Sequence, residues 1–253
     1  MKAVILAAGR GSRIFAITHG EPKCLLSFCG RTILDFQLES LFRVGVTDLA
    51  IVVGHAGDQV TEHVKRHFPD HVDRIAFITN PDFATTNNMY SLWLAKDWLN
   101  GSSFLCLNAD VICHPDIIRS AAEVQADVSV VIDPEFREET TKVIVRDDRV
   151  VALKKSIDRE EASGTFIGIA TFSAKGSQML FEKTDSLFGE GQVTQYFNDV
   201  IGLLAADGER VDCIDTGSLA WAEVDDAEDW EFAQDHVCPE LEAPVLSESS
   251  LPD

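Results

Sequence analysis

Basic residues are scarce in this chain, and their scarcity limits its partners. The 253 residues include 21 lysines and arginines against 42 aspartates and glutamates, so the formal net charge at pH 7 is −21. A surface of this sign repels nucleic-acid phosphates and anionic membranes. We therefore expect neither nucleic acid nor a membrane as a partner, and cations near the N-terminus would be positioned for a small anion.

Long apolar runs and paired cysteines are also lacking. No apolar stretch is long enough to span a membrane, and the N-terminus enters a predicted strand without a signal-peptide pattern. The six cysteines are scattered and form no C-x-x-C pair, so the sequence predicts neither a zinc site nor a disulfide framework. These absences predict a reducing, cytoplasmic location.

Short apolar runs alternate with helical patterns in the first half of the chain. The pattern predicts strands at 3–6, 49–53, 74–78, 103–108 and 128–132, and helices near 32–44, 58–67, 88–99 and 115–124. The second half predicts a hairpin at 142–146 and 150–153, strands at 166–172, 210–214 and 220–224, and helices at 175–187, 192–206 and 226–235. Strands separated by helices predict an α/β fold with a parallel sheet covered on both faces.

A glycine-containing loop with two nearby cations follows the first predicted strand. The strand runs into Leu6-Ala7-Ala8-Gly9-Arg10-Gly11-Ser12-Arg13, and Pro22-Lys23-Cys24-Leu25-Leu26 comes shortly after. The small residues Ala7, Ala8, Gly9 and Gly11 let backbone N–H groups approach an anion, while Arg13 and Lys23 supply positive charge. The loop is neither a Walker A motif nor a dinucleotide fingerprint. It predicts a cradle for a nucleoside triphosphate; the alternative is a plain strand-to-helix turn.

Acidic residues end two of the predicted strands. Asn108-Ala109-Asp110 closes one strand, and Glu223-Val224-Asp225 closes another. Ligands of open α/β sheets bind at the carboxyl ends of strands, so we expect Asp110 beside the glycine loop. Alternation puts Glu223 and Asp225 on one face, and with Asp110 they would offer the oxygen ligands that Mg²⁺ prefers. The alternative is that Asp110 and Asp225 only cap helices.

The loop, the Pro-Lys-x-Leu-Leu segment and the strand-end aspartate together resemble the nucleotidyltransferase superfamily, which couples nucleoside triphosphates to phosphorylated small molecules. Asn80 and the stretch Asn87-Asn88-Met89-Tyr90-Ser91 resemble its branch that makes CDP-activated headgroups, such as the CTP:phosphocholine and CTP:2-aminoethylphosphonate cytidylyltransferases. This resemblance implies a GT-A-like, Rossmann-like α/β fold with a mixed, mainly parallel sheet, Mg²⁺ as cofactor and CTP as donor. It implies a nucleotide site formed by Leu6, Ala7, Ala8, Gly9, Gly11, Lys23, Asn80, Thr86, Asn87, Ser91 and Asn108. For Asn87 and Asn88, helix capping is the alternative.

The acceptor side is marked more weakly. In the wider superfamily a lysine binds the acceptor's phosphate, and Lys155 aligns best with it, with Lys142 as a second candidate; a solvated strand end is the alternative. Tyr196 and Trp221 would offer aromatic faces to a cationic amine, or else pack in the core. We expect one domain over 1–236, with a small acceptor-binding lobe at 134–215, and a disordered acidic tail over 237–253.

These residues predict a cytidylyltransferase that moves CMP from CTP to a small anionic acceptor, a phosphorylated or phosphonate compound. Arg13, Lys23 and Lys155 would be its catalytic residues, because positioning and charge neutralisation suffice for in-line attack on the α-phosphorus. Two alternatives stay open: a sugar-1-phosphate or inositol-phosphate nucleotidyltransferase, and a nucleotide sensor without catalysis. The sequence does not decide the acceptor, or between a monomer and a homodimer.

Overall fold

A computed structural model describes residues 1–135 and 140–242, and this part of the chain alternates strands and helices. The strands are β1 (Lys2–Ala7), β2 (Ser27–Phe28), β3 (Arg31–Thr32), β4 (Asp48–Val53), β5 (Ile75–Thr79), β6 (Phe104–Asn108), β7 (Val111–Cys113), β8 (Val128–Asp133), β9 (Lys142–Arg146), β10 (Arg149–Lys154), β11 (Gly164–Phe172), β12 (Asp212–Asp215) and β13 (Trp221–Glu223). The α-helices are α1 (Phe15–Thr18), α2 (Ile33–Arg43), α3 (Gly57–His67), α4 (Asn88–Leu94), α5 (Lys96–Leu99), α6 (Pro115–Glu123), α7 (Ala174–Gly189), α8 (Phe197–Ala206), α9 (Ala227–Phe232) and α10 (Cys238–Glu242). Short 3₁₀ helices span Ser12–Ile14, Lys23–Leu25 and Pro69–Arg74, and a π-helical turn spans Ala233–Val237.

Nine of these strands form one mixed sheet in the order β5-β4-β1-β6-β11-β8-β12-β10-β9. The β5, β4, β1 and β6 strands are parallel, and β12 is parallel to β8. β11 is antiparallel to β6 and β8, and β10 is antiparallel to β12 and β9, so these two strands oppose the other seven. The predicted Rossmann-like α/β fold with a mixed, mainly parallel sheet is therefore confirmed. The strands of the 134–215 region extend this same sheet.

Side chains of the central strands point into two apolar layers, one on each face of the sheet. Val4 and Leu6 of β1 belong to the layer that includes residues of α4, α7 and α8. Ala3 and Ile5 belong to the layer that includes residues of α2, α3 and α6. Because both faces are covered by helices, the carboxyl ends of these strands are where a ligand has access to the sheet.

The start of α2 is fixed by a reciprocal cap and a histidine. Thr32 Oγ1 accepts a hydrogen bond from the Asp35 N–H at 3.1 Å, and Asp35 Oδ2 accepts one from the Thr32 N–H at 2.8 Å. His63 Nε2 of α3 lies 2.7 Å from Asp35 Oδ1. Burial alone would raise the pKa of Asp35, but the hydrogen bonds from His63 and Thr32 outweigh it and hold that pKa below its usual range.

Three helix predictions need correction. The predicted 88–99 helix is interrupted at Ala95, whose N–H bonds to the Leu92 carbonyl three residues back. The predicted 192–206 helix begins only at Phe197, because the Asp199 carboxylate accepts the Tyr196 N–H and so defines the first turn there. In the predicted 226–235 helix, the α-helical part ends at Phe232 and a π-helical turn follows.

The C-terminal segment packs against residues near the N-terminus of the chain. The expectation of a disordered tail is wrong for residues 237–242, because Val237 is buried and Cys238–Glu242 is helical; residues 243–253 lie outside the described part. Cys238 forms a disulfide with Cys29, so the expectation of no disulfide is also wrong. These cysteines are 209 residues apart, and no local spacing could have paired them. In the described ranges, every helix is too short or too polar to cross a membrane.

Candidate active site

A cavity of about 460 Å³ lies where β1 and β6 end. Most of the residues that we predicted for a site line it together. They are Leu6, Ala7, Ala8, Gly9, Gly11, Arg13, Lys23, Asn80, Thr86, Asn87, Ser91, Asn108, Asp110, Lys155, Tyr196, Glu223 and Asp225. Lys142 and Trp221 are not among its lining residues.

Glycine is required at one position of the loop after β1. Gly11 has a φ of +58°, and a Cβ built there would come within 3.2 Å of the Lys23 Cβ. A larger residue would therefore be strained and would press on Lys23. A Cβ built on Gly9 meets no atom within 4 Å, so its backbone borders open space.

Lys23 lies between two carboxylates. Its Nζ donates to Asp110 Oδ2 at 2.9 Å and also to Asp225 Oδ1. Arg13 Nη2 donates to the other Asp225 oxygen, Oδ2, at 2.7 Å. Burial alone would lower the pKa of Lys23, but Asp110 and Asp225 outweigh it and raise that pKa. Burial likewise favours a raised pKa for Asp225, but the two cations lower it, so Lys23 is charged and Asp225 ionised at neutral pH.

A two-stranded ribbon brings the third carboxylate to this cluster. β13 pairs antiparallel with β7, so that Glu223 is opposite Val111, and the Val224 N–H donates to the Asp110 carbonyl at 2.9 Å. Burial raises the pKa of Glu223 to about 8, with a further contribution from the charges of Asp110 and Asp225. The capping alternative is wrong for both aspartates, because Asp110 lies in a turn between strands and the cap of α9 is Asp226.

The three carboxylates do not converge into one ligand cluster. Within the described ranges, no three His, Cys, Asp or Glu side chains are arranged as a ready-made metal site. The Lys23 ammonium group lies where Asp110 and Asp225 come together and separates them. Asp110 Oδ1, however, is buried without a hydrogen-bond partner. Metal binding by a subset of these carboxylates stays a prediction.

Asn80 organises the loop that follows β5. Its side chain is 1% exposed. Its amide donates to Ser91 Oγ at 3.0 Å and Thr86 Oγ1 at 3.3 Å, and its Oδ1 accepts the Asp82 N–H at 2.9 Å. The side-chain hydrogen bonds of Asn80 thus stay within residues 80–91, the loop after β5 and the start of α4, and they hold this wall of the cavity in shape.

The next two asparagines connect opposite walls. Asn87 is at the N-cap position of α4 but makes no capping bond; its amide donates to the Thr194 carbonyl instead. Asn88 donates to Asn108 Oδ1 at 3.1 Å and accepts the Phe197 N–H at 2.9 Å. The capping alternative is therefore wrong for Asn87, whereas Asn88 accepts the first N–H of α8; each residue joins the 80–91 wall to the segment that begins α8.

Of the four residues predicted for the acceptor, two line the cavity and two do not. Lys155 lines the cavity, with its Nζ 5.8 Å from the ring centre of Tyr196, which is 42% exposed. The core alternative is therefore wrong for Tyr196. Lys142 instead donates to the Lys155 carbonyl at 3.1 Å, so it supports the backbone of Lys155 from outside the cavity. Trp221 is only 2% exposed and donates to Asp133, so its predicted contact with an acceptor is wrong.

Several cavity residues escaped the sequence reasoning. They include Arg10, Phe83, Thr141, Phe166, Gly168 and Asn198. A signal existed for Gly168, because glycine inside a strand pattern often marks a bulge or a close approach. It has a φ of +83°, and a Cβ there would lie 3.0 Å from the Asn108 amide nitrogen. For Thr141 and Asn198, ordinary polar residues in ordinary positions, no local signal exists.

Comparison with known proteins agrees with this geometry. A family model described as the MobA-like NTP transferase domain matches residues 3–174, more than half of the chain. The chain belongs to this family. The match includes the loop after β1, Lys23, the 80–91 wall and Asp110, but it ends before Tyr196, Glu223 and Asp225.

Individual relatives extend the comparison over the rest of the chain. The chain is 30% identical to CMP-5'-(3-aminopropyl)phosphonate synthase of Streptomyces rubellomurinus, over 98% of this chain but 41% of that protein. It is 26% identical to choline-phosphate cytidylyltransferase of Streptococcus pneumoniae, over 79% of this chain and 82% of the relative. The structure of the inositol-1-phosphate CTP transferase from T. maritima superimposes with a TM-score of 0.82 at 20% identity, covering 96% of this chain and 97% of the other. The last likeness shows the nucleotidyltransferase fold.

Proposed function

We propose that this chain is a Mg²⁺-dependent cytidylyltransferase that transfers CMP from CTP to a small phosphorylated or phosphonate compound and releases pyrophosphate. One observation carries the proposal: Lys23 and Arg13, next to the glycine loop, share a cavity with the carboxylates of Asp110, Glu223 and Asp225. Cations suit the triphosphate, and carboxylates suit a divalent metal. The names of two curated relatives point to cytidylyl transfer onto phosphorus-containing headgroups.

The two cations would bind the triphosphate. Lys23 and Arg13 are both held by Asp225, and Lys23 also by Asp110. Phosphate oxygens would compete with these carboxylates for the same N–H donors. The open space at Gly9 leaves room for an anion against the backbone.

The donor set fits Mg²⁺. This ion takes oxygen ligands and commonly uses one or two carboxylates together with substrate phosphates, so a preformed cage of three side chains is not required. Asp110 Oδ1 is buried with no hydrogen-bond partner, as expected of an oxygen reserved for a ligand. Asp110, with Glu223 or Asp225, would hold the ion, which would neutralise negative charge on the phosphates when bound.

The reaction needs no covalent enzyme intermediate. An oxygen of the acceptor phosphate or phosphonate would attack the α-phosphorus, forming a new P–O bond. The bond from that phosphorus to the bridging oxygen breaks, and pyrophosphate leaves with the electron pair. The attacking oxygen is already anionic, so the chain's contribution is to orient both anions and offset their charge. Lys155, on the far wall beside Tyr196, would orient the acceptor.

The test is pyrophosphate release from each of the four NTPs, with Mg²⁺ and with phosphocholine, 2-aminoethylphosphonate or 3-aminopropylphosphonate as acceptor. We expect release with CTP that depends on one of these acceptors. If only a sugar-1-phosphate or inositol-1-phosphate were productive, the proposed acceptor class would be wrong. Tight CTP binding without release under any acceptor would instead indicate a nucleotide sensor.

A further inference from the structure

Gln37 is a buried polar residue outside the cavity lining. It lies in α2 and is 3% exposed. Its Nε2 donates two hydrogen bonds, to the carbonyl oxygens of Asn108 and Val111, both at 2.8 Å. The two acceptors come from the end of β6 and the start of β7, so a single amide group grips both sides of the turn between these strands.

That turn carries one carboxylate of the site, Asp110, and is paired with the strand that carries another, Glu223. Asp110 lies between the two carbonyls that Gln37 holds. Val111 is also the partner of Glu223 in the β7–β13 ribbon, and the Asp110 carbonyl accepts the Val224 N–H at 2.9 Å. A displacement of the turn would therefore move Asp110 and, through the ribbon, Glu223.

Core packing alone does not account for an amide at this position. The Gln37 Oε1 atom is buried without a hydrogen-bond partner, and an unsatisfied buried acceptor destabilises the fold. An apolar side chain would avoid this cost but would remove both donors from the turn. The two hydrogen bonds that the amide nitrogen donates to the 108–111 turn therefore explain why glutamine is present here.

We propose that Gln37 is a positioning residue for the carboxylates of the site, fixing the 108–111 turn so that Asp110 and Glu223 face the bound phosphates and metal. This inference rests on the proposed function. Groups behind metal ligands commonly change metal affinity or activity by about 10–100-fold when they are removed. Gln37 would position Asp110 indirectly, by holding the backbone carbonyls of the 108–111 turn.

The test compares Gln37→Met, which keeps the volume but loses the donors, with Thr171→Val. Thr171 is 2% exposed and donates to the Ala121 carbonyl at 2.9 Å, away from the cavity lining, so its variant loses a similar buried bond. For Gln37→Met we expect the half-saturating Mg²⁺ concentration to rise about tenfold or more and kcat to fall about 10–100-fold. Titration of Mn²⁺ in the presence of CTP should show the same loss of affinity. Thr171→Val should change none of these quantities.

Two further measurements keep the inference separable from folding and from the proposed function. Gln37→Glu retains one donor when its buried carboxyl is protonated, so it should lie between wild type and Gln37→Met. Hydrogen exchange in protein prepared without metal or nucleotide should be faster at the Asp110 and Val111 amides in Gln37→Met, and unchanged in Thr171→Val. Wild-type exchange and metal dependence in Gln37→Met would overturn the inference. An inactive wild type would refute the proposed function, while the exchange result would still decide the role of Gln37.

Discussion

The Lys23→Met substitution removes the ammonium group that lies between Asp110 and Asp225, and we expect it to cost both stability and activity. Methionine keeps much of the apolar stem, so the change isolates the charge. Without Lys23, Asp110 loses its partner at 2.9 Å, whereas Asp225 loses Lys23 but keeps its ion pair with Arg13. The carboxyl groups of Asp110, Glu223 and Asp225 then share a partly buried site that has one positive charge fewer to offset their negative charge.

The expected loss of stability in Lys23→Met depends on how deeply Lys23 and its two partners are buried. At 2.9 Å and an effective dielectric constant of ~20, one such pair attracts by roughly 6 kcal/mol before desolvation is subtracted. Exposed pairs contribute about 0.2–1 kcal/mol net, and breaking a buried pair costs about 3–5 kcal/mol. The Lys23 side chain is 13% exposed and its partners 24% and 25%. We therefore expect a loss of about 2 kcal/mol, which in a chain of this size lowers Tm by about 4–8 °C.

Thermal unfolding at pH 7, with Lys183→Met as a matched control, measures this loss. Lys183 pairs with Asp207 at 2.7 Å, but their side chains are 28% and 55% exposed, so its variant should lose less than about 1 kcal/mol. Adding Asp110→Asn to Lys23→Met should restore part of the stability, because it removes the carboxylate that the loss of Lys23 leaves uncompensated. In the pyrophosphate assay, Lys23→Met should lower kcat by about 100-fold or more. A Tm no lower than that of Lys183→Met would refute the reasoning.

Three other substitutions test separate parts of the account. Asp110→Asn removes a proposed metal ligand and should lower CTP turnover by about 100-fold or more, with a smaller loss of Tm than Lys23→Met because Lys23 keeps Asp225; normal turnover at low Mg²⁺ would contradict that role. Lys155→Met should raise the KM for the acceptor by about tenfold or more and leave the KM for CTP unchanged, and the reverse pattern would assign Lys155 to the nucleotide. Asp35 has a lowered pKa, so its ionised form stabilises the fold above the unfolded value of about 3.9, and this contribution is lost as the pH falls through the folded pKa. Denaturant unfolding of Asp35→Asn should therefore show a deficit against wild type at pH 7 that shrinks below pH ~4, whereas a constant deficit would mean that His63 and Thr32 do not act through its charge.

The sheet was predictable because its strands are continuous apolar runs. Burial on both faces leaves only apolar residues in the interiors of β1, β4 and β6, and the predicted bounds agree with the observed ones to within one residue at each end. Helix ends were less predictable where tertiary contacts define them. The start of α8 is defined by the Asp199 cap and also by Asn88, which is more than a hundred residues away, so local sequence could reveal only the first of these contacts.

The cavity was predictable where one local segment carries several signals. The loop after β1 combines small residues with Arg13, and the strand-end position of Asp110 follows from the α/β pattern. The errors concern residues whose environment depends on remote pairing. Trp221 is buried against Asp133, and Lys142 holds a neighbouring backbone, which no spacing in the sequence specifies. In the sequence, Gln37 resembles any polar residue of an amphipathic helix. Its role depends on hydrogen bonds to β6 and β7, which only the tertiary structure shows.

The central claim is cytidylyl transfer, and the fate of labelled phosphorus tests it most directly. CTP labelled at the α-phosphorus, or separately at the γ-phosphorus, is incubated with the protein, Mg²⁺ and 2-aminoethylphosphonate or phosphocholine. The account predicts that the α-label moves into a new compound containing CMP and the acceptor, and that the γ-label appears in pyrophosphate. An α-label that stays in CTP, or is released only as free CMP whatever acceptor is added, would contradict it.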